Sequence, residues 1–417
     1  MSYRVVLRAH TTRRDIAPAV LVERMLQHLG CQTFIACVRN FEWVLKWWQP
    51  HAVVVMAPGA AARAKELRPD AQIIFLDGEG FQSEDISTVT LWKEKPALYT
   101  SLDLCLLWGP IIRQHMQKLA PEFDQSITHI VGNPKFDPIR FMPDTVRPKD
   151  ESNSIGILGR FPSINHHQDY PTIRNLHTEV NLNFVISICR AYHVIHKVIE
   201  KILTETDYKI SFRPHPMEQV ESYRKWILPS FGKQFGERFE VDDSLVVTDW
   251  IVQQRCLIAP TSTAFLEAYL LQVPTINIDH LAGTADYNAN YAQVCAEWQA
   301  ASYQPKSLDE AVELVVQASK LDVYNSIIEN QIADYCAWQE GGSASWNAAR
   351  LIVEQLRTTQ SPNHKHFPRA MINARDSVSF WRAMHRDPLH HNFNYKEGFH
   401  KVPTYYDEMI NTVIQTA

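Results

Sequence analysis

The chain has 417 residues, 45% hydrophobic and 21% charged, with a formal net charge of -5; that is an ordinary globular composition, long enough for two α/β domains. The slight acidity gives no reason to expect nucleic acid as the main partner. Seven scattered cysteines, odd in number and mostly within apolar runs, argue against a disulfide framework or a zinc site and fit reduced core thiols of a cytoplasmic protein. The first ten residues read straight into a strand, with no signal peptide, and no apolar run approaches the roughly 20 residues of a membrane span.

From its start the chain alternates as a doubly wound sheet does. Residues 3–7, 31–38, 51–56 and 71–76 read as strands, and 17–29, 41–48 and 60–67 as helices between them. Trp47-Trp48, at a helix end, is expected to bury against this first sheet. The strand over 71–76 runs into the loop Asp77-Gly78-Glu79-Gly80-Phe81. The strand, helix, strand pattern repeats over 102–108, 110–119 and 127–131, ending in Gly132-Asn133-Pro134-Lys135-Phe136-Asp137. Asp137 follows a turn stiffened by Pro134 and precedes Pro138, so its backbone is restrained on both sides. By residues alone it either caps a short helix running to Phe141 or holds a carboxylate for chemistry. The Asp77 and Glu79 pair invites comparison with a metal-binding Asp-x-Asp, but the order of elements argues for a metal-free site.

Between 141 and 154 proline, charge and polar residues replace the apolar pattern, which marks a domain boundary. The expected division is an N-terminal Rossmann-like domain over 1–145, a second over 146–340, and a helix and tail over 341–417 packing back on the first. The second sheet opens at 155–158, followed by a polar loop containing Arg160, Asn165 and His166 and a long helix over 182–204. His193 and His196 on that helix lack a third ligand and read as surface or packing residues. The strand ending at 212 leads into Arg213-Pro214-His215-Pro216. Ligands of open α/β sheets bind at the carboxyl ends of strands, and two prolines stiffen this turn to hold Arg213 and His215 towards an anion. An ordinary ion pair is the plain alternative for Arg213. A helix follows over 217–228, and Asp242-Asp243 reads as a turn.

Residues 256–259, 262–271 and 273–278 form a strand, helix, strand unit with Thr261, Ser262 and Thr263 in its first turn. Free N–H groups and the helix dipole make such a turn a seat for phosphate, with Glu267 one turn further in to reach a ribose. A plain helix cap is an equal reading of those hydroxyls. Helical patterns continue over 307–319, 325–339 and 344–357. Between Ser361 and Tyr405 lie seven Lys or Arg against three Asp or Glu, with six histidines and many aromatics; this segment is expected to pack on the N-terminal half, or to meet a membrane or an assembly partner.

Two Rossmann-like halves with a cleft between them and a phosphate turn in the second describe the GT-B architecture. The chain resembles bacterial surface-carbohydrate biosynthesis glycosyltransferases, and within them the retaining β-Kdo transferases of O-antigen and capsule assembly. The resemblance rests on Asp77-Gly78-Glu79-Gly80, Gly132 to Asp137, Asn165-His166, Arg213 to Pro216, and Thr261 to Ala268 with Val273-Pro274. The family usually shows Asp-Glu-Glu-Gly at the first of these. The resemblance implies a cytoplasmic enzyme that moves an ulosonic acid from a CMP-activated donor to a glycan, lipid-linked acceptor, without cofactor or metal. Arg213, His215, Thr261, Ser262, Thr263 and Glu267 would hold the nucleotide and its phosphate, and Arg160, Asn165 and Asn133 the sugar. Asp137 would be the nucleophile forming a covalent adduct, with Glu79 and His166 as its catalytic partners. The alternatives are a CDP-glycerol-type polyol phosphate transferase, a nucleotide-sugar epimerase, and a non-catalytic GT-B-like scaffold.

Overall fold

The computed structural model describes residues 2–9, 12–57, 59–78, 99–142, 152–166, 179–286, 293–338, 342–359 and 405–416. Glu79 and the basic, aromatic stretch over 361–404 lie outside the described residues. The chain forms two compact units, Met1–Met142 with Gln331–Ala417, and Pro143–Asn330.

In the first unit the strands are β1 (Arg4–Ala9), β2 (Gln32–Cys37), β3 (Ala52–Val55), β4 (Gln72–Leu76), β5 (Leu104–Leu107) and β6 (Thr128–Ile130). They pair in parallel in the order β2-β1-β3-β4-β5-β6. All four residues of β3 are buried, the signature of a strand covered on both faces. The helices between are α1 (Thr12–His28), α2 (Phe41–Trp48), α3 (Gly59–Leu67), α4 (Pro110–Leu119) and the single turn α5 (Asp137–Arg140). Trp48 is fully buried and its ring lies 5.8 Å from that of Phe34 on β2, so it packs on the first sheet as its sequence position implies. Helix α1 starts earlier than the 17–29 pattern, so that Pro18 sits inside it, where its missing N–H costs one helical hydrogen bond.

The second unit holds β7 (Ser154–Leu158), β8 (Lys209–Arg213), β9 (Phe239–Val241), β10 (Leu257–Ala259) and β11 (Thr275–Asn277), parallel and ordered β11-β10-β7-β8-β9. The long helix α6 (Glu179–Glu205) packs its buried Ile195, Val198, Ile199 and Ile202 into the core with Ile155, Ile157, Ile210 and Phe212. His196 is part of that packing, its ring 4.6 Å from Tyr192 and 5.6 Å from Phe231. After β8 a helical run of Val220–Ser222, a π-helical turn Tyr223–Ile227 and α7 (Leu228–Phe235) replaces the single helix expected over 217–228. The remaining helices are α8 (Val247–Ile251), α9 (Ala264–Leu270), α10 (Asp279–Ala282), α11 (Gln293–Ala300), α12 (Leu308–Val316) and α13 (Ser326–Cys336). The chain then completes the first unit with α14 (Ala344–Thr358), which packs on α1, β4 and β5, and α15 (Tyr405–Thr416), which packs on α1. Among the described residues no helix is long and apolar enough to cross a membrane.

Candidate functional site

Strand register fixes where the polar loops of the second unit emerge. Leu158 is level with Arg213, Ile157 with Ile258, and Ala259 with Asn277. The loops that begin at Gly159, Pro214, Pro260 and Ile278 therefore leave one edge of the sheet. The chain passes from β7 to β8 and β9 on one side and returns to β10 and β11 on the other. The switch point lies between β7 and β10, where an open α/β sheet places its ligand.

Arg213 does not face that crevice as a spare cation. It is 5% exposed, pairs with Asp242, and donates from Nη1 to Ser244 Oγ at 2.7 Å and from Nη2 to the Ser244 carbonyl at 2.9 Å. Burial lowers its pKa, and the carboxylate of Asp242 acts against that. The sequence reading of an anion-binding Arg213 thus meets a guanidinium already engaged in holding the turn after β9. Asp242 is accordingly more than a turn residue.

Glu218, which the sequence reading passed over, ties the loops after β7 and β8 together. It is fully buried, and its Oε1 accepts from Phe161 N at 2.8 Å and from His215 N at 2.9 Å, while Tyr223 donates its hydroxyl to Oε2. Burial first, and Glu218 second, push the Tyr223 pKa well up. A Cβ on Gly159 would meet Glu218 Oε1 at 3.0 Å and Pro214 Cα at 3.1 Å, so a side chain there would press the two loops apart by a few tenths of an ångström. Asn165 joins the same clamp: its side-chain amide donates to the Gln219 carbonyl at 2.9 Å, and the backbones of His166 and Glu218 pair as an isolated antiparallel bridge. His215 Nδ1 accepts from Met217 N at 3.1 Å. The neutral ring therefore carries its proton on Nε2.

A second clamp joins β10 to β11. Thr261 is 1% exposed; its N–H donates to Asp279 Oδ2 at 3.0 Å, its hydroxyl donates to the same oxygen, and Asn277 Nδ2 donates to that hydroxyl at 3.1 Å. Asp279 also accepts from Thr284 Oγ1 at 2.9 Å and from Gln299 Nε2 at 3.2 Å. Thr261 is thereby a scaffold residue, not an open hydroxyl. The free N–H groups expected at the start of α9 are also engaged: Ala264 N donates to Ser262 Oγ at 3.3 Å, Phe265 N to the Ser262 carbonyl, and Leu266 N to the Thr263 carbonyl. Glu267, the acid in the first turn of α9, is 8% exposed. Ser262 is half-buried and Thr263 exposed. Arg160 links the two clamps. It is half-buried, and Nη1 donates to the Thr261 carbonyl at 2.7 Å, the one hydrogen bond its guanidinium makes among the described residues. Four of its five N–H donors remain for a ligand.

The first unit places Asp137 and Asn133 at the carboxyl end of β6. Gly132 has φ of +87° and lies 3.1 Å, by an added Cβ, from Ala344 Cβ, so only glycine makes this turn without strain. Asn133 is buried and its Oδ1 accepts from Lys135 N at 3.0 Å. Asp137 is 3% exposed; Oδ1 accepts from Ala344 N at 2.9 Å, and Oδ2 from Ser343 Oγ and Ser345 N, both at 2.8 Å. Burial raises its pKa and those donors act against the rise. The carboxylate thus anchors the head of α14, a helix cap like the one its sequence allows but on a different helix. Asp77 is 6% exposed at the end of β4, and burial pushes its pKa up to about 7 against the pull of Lys135. Lys135 Nζ donates to the Gly78 carbonyl at 3.0 Å.

No family model matches the chain, and no curated protein matches it in sequence. Solved structures do resemble it. The wall teichoic acid polymerase TagF, as its H444N variant, superposes with a TM-score of 0.55 at 11% identity over 86% of this chain and 89% of that one. The UDP-GlcNAc 2-epimerase of Methanocaldococcus jannaschii, in complex with UDP-GlcNAc and UDP, gives 0.53 at 11% identity over 84% and 99%. S. aureus MnaA with UDP gives 0.53 at 12% over 88% and 100%. The chain has a GT-B-like fold. Two parallel sheets with helices on both faces and a helical C-terminal segment agree with the sequence expectation. At this identity the likeness carries the fold alone.

Proposed function

We propose that this chain is a nucleotide-dependent transferase of bacterial surface-carbohydrate biosynthesis, acting on a CMP-activated ulosonic acid whose nucleotide binds at the carboxyl edge of the second sheet. The observation that carries the reading is Arg160, a half-buried cation at the switch point between β7 and β10 with a single hydrogen bond, to Thr261. The clamps of Glu218 and Asp279 hold its loop against the loops of His215 and Ser262. A cation so placed favours an anion. In this arrangement Arg160, His215 Nε2 and the hydroxyls of Ser262 and Thr263 bind the phosphate, and Asn165 and His166 border the sugar. Arg213 and Thr261 act through the loops they fix.

The Arg160 guanidinium, the His215 Nε2–H and the hydroxyls of Ser262 and Thr263 are the hydrogen-bond donors this reading gives to the phosphodiester and the carboxylate, and it assigns no metal. Asp137, with three donors on its carboxylate and almost no exposure, serves this reading as the anchor of α14.

Calorimetry with CMP, CDP and UDP in the absence of divalent metal tests the proposal. CMP should bind, and Arg160→Gln and His215→Ala should each weaken it about 10-fold to 100-fold, the worth of a charge-assisted hydrogen bond of about 1.5–3 kcal/mol. Arg213→Gln should instead lower stability. Strict dependence on Mg²⁺, or unchanged CMP affinity in Arg160→Gln, overturns the assignment. Preference for CDP-glycerol or turnover of UDP-GlcNAc would replace the CMP reading with a polyol phosphate transferase or an epimerase.

A further inference from the structure

A hollow of about 330 Å³, open to solvent, lies at the amino-terminal edge of the second sheet. Thr275, the first residue of β11, is level with Leu257, the first of β10, so the hollow is at the far end of the strands from the loops after Ala259 and Asn277. Its lining combines the aromatic residues Phe265, Tyr269 and Tyr303 with Thr275, Ser302 and Asp322, and is otherwise aliphatic. It contains no lysine, arginine or histidine.

The polar groups of this lining have spent their protons and kept their lone pairs. The backbone of Tyr303 is fixed beside β11, its N–H donating to the Thr275 carbonyl at 3.1 Å and its carbonyl accepting from Asn277 N at 2.8 Å, and its hydroxyl donates to the Asp322 carbonyl at 2.9 Å. Ser302 Oγ donates to the Trp298 carbonyl at 2.7 Å. That oxygen lies 3.5 Å from Thr275 Oγ1, too far for a good hydrogen bond, and so has a lone pair to offer. Asp322 is exposed; Oδ1 accepts from Tyr324 N at 2.9 Å, and Oδ2 has no hydrogen-bond partner among the described residues. Aromatic faces, spare acceptors and a carboxylate without any cation disfavour an anion and favour a cation that brings its own N–H donors.

We propose that this hollow binds the primary alkylammonium group of a small ligand, which donates to Asp322 Oδ2 and Ser302 Oγ and rests against the rings of Tyr269 and Tyr303. The site shares no residue with the nucleotide loops and does not depend on the transferase reading.

Ethanolamine hydrochloride, choline chloride and ethylene glycol, titrated into the full chain at neutral pH and constant ionic strength and followed by ligand-observed NMR, test the site. Ethanolamine should bind in the millimolar range open to so small a ligand. Choline, which has no N–H to donate, should bind more weakly, and ethylene glycol not measurably. Asp322→Asn should weaken ethanolamine at least about 10-fold, and Tyr269→Leu about 3-fold through loss of one ring. Because Asp322 is exposed, Asp322→Asn should melt with its parent, so that the loss is one of binding. Glu329→Gln, which removes an acid outside the lining, should leave ethanolamine affinity unchanged. Raising the pH past the amine's own pKa should abolish binding to the parent. Absence of ethanolamine binding, unchanged affinity in Asp322→Asn, or an equal loss in Glu329→Gln overturns the site. Choline or ethylene glycol binding as tightly as ethanolamine overturns the primary-amine assignment. CMP affinity should be the same in Asp322→Asn as in the parent, which keeps this result separate from the nucleotide reading.

Discussion

The two sheets put charge at the same place, the carboxyl ends of parallel strands, and treat it differently. In the second unit the buried charges are matched: Arg213 with Asp242, Glu218 with three donors, Asp279 with Thr261, Thr284 and Gln299. In the first unit Arg8 Nε is buried without a hydrogen-bond partner among the described residues and Asp77 is pushed by burial to a pKa of about 7. Matched buried charge builds rigid loops, and a rigid loop can hold Arg160 ready at little entropic cost. Desolvated charge is costly, and a proton taken up by Asp77 relieves that cost. The difference separates scaffold from site within each unit more sharply than residue type does.

The largest effect should come from the matched carboxylate of the first unit. Asp137→Ala leaves the Ala344 and Ser345 amides and the Ser343 hydroxyl without their acceptor, and should cost about 3–5 kcal/mol in urea unfolding. Hydrogen exchange at the head of α14 should accelerate with it. If Asp137→Ala keeps its stability and loses only transfer, the carboxylate is a nucleophile and the anchor assignment falls.

Asp77 gives the next effect, with the opposite sign. An ordinary carboxyl near 3.8 in the unfolded chain and about 7 in the folded one means that, between those values, the folded state holds the proton and the unfolded state does not. Stability therefore falls as pH rises from about 4 to about 7, and is level on either side. Asp77→Asn should flatten that profile and be more stable than the parent at pH 8, by about 2–4 kcal/mol. A parent whose stability does not decline across that window, or an Asp77→Asn profile that still does, would show that Asp77 is not the group that titrates there.

These contrasts mark what could be read from the sequence. Apolar runs gave β1, β3, β4 and β7 because parallel strands covered on both faces have no polar alternation to confuse the pattern. The polar loops were legible too, because Gly, Pro and hydroxyls at strand ends have few other uses. The partners of those loops were not. Arg213 looks like an anion binder until Asp242 is brought to it from 29 residues away, and Asp137 like a nucleophile until Ser343 is brought from 206. Glu218, Asn277 and Asp279 are polar residues that no motif singles out, yet all three are fully buried. Short β9 and the helices α10 and α11 had too few residues for a period to show.

Glu218→Gln should have a smaller effect than either acid above, and it tests whether the clamp is scaffold. The amide keeps one oxygen for Phe161 and His215 but presents N–H₂ to the Tyr223 hydroxyl, so about 1.5–3 kcal/mol of charge-assisted bonding is lost. The Tyr223 phenol, raised first by burial and next by Glu218, should then titrate at lower pH. A spectrophotometric titration of the variant that leaves this phenol where it was would remove Glu218 from the centre of the clamp.

The smallest effect, and the finest division between scaffold and site, lies in neighbouring hydroxyls. Thr261 is buried, and its hydroxyl donates to Asp279 and accepts from Asn277, whereas Ser262 is half-buried and only caps Ala264 N at the long distance of 3.3 Å. Thr261→Val should therefore cost about 1–3 kcal/mol of stability, the desolvation of Asn277 and Asp279 left short of a partner, with CMP affinity unchanged once folded protein is compared. Ser262→Ala should change stability by under about 1 kcal/mol, the worth of a weak cap, yet weaken CMP by roughly 3-fold to 10-fold through one hydroxyl bond to phosphate. Two calorimetric titrations and two melting curves decide it. If both variants lose CMP equally at equal stability, the buried clamp and the exposed hydroxyl are one binding surface, and burial does not separate scaffold from site on this edge.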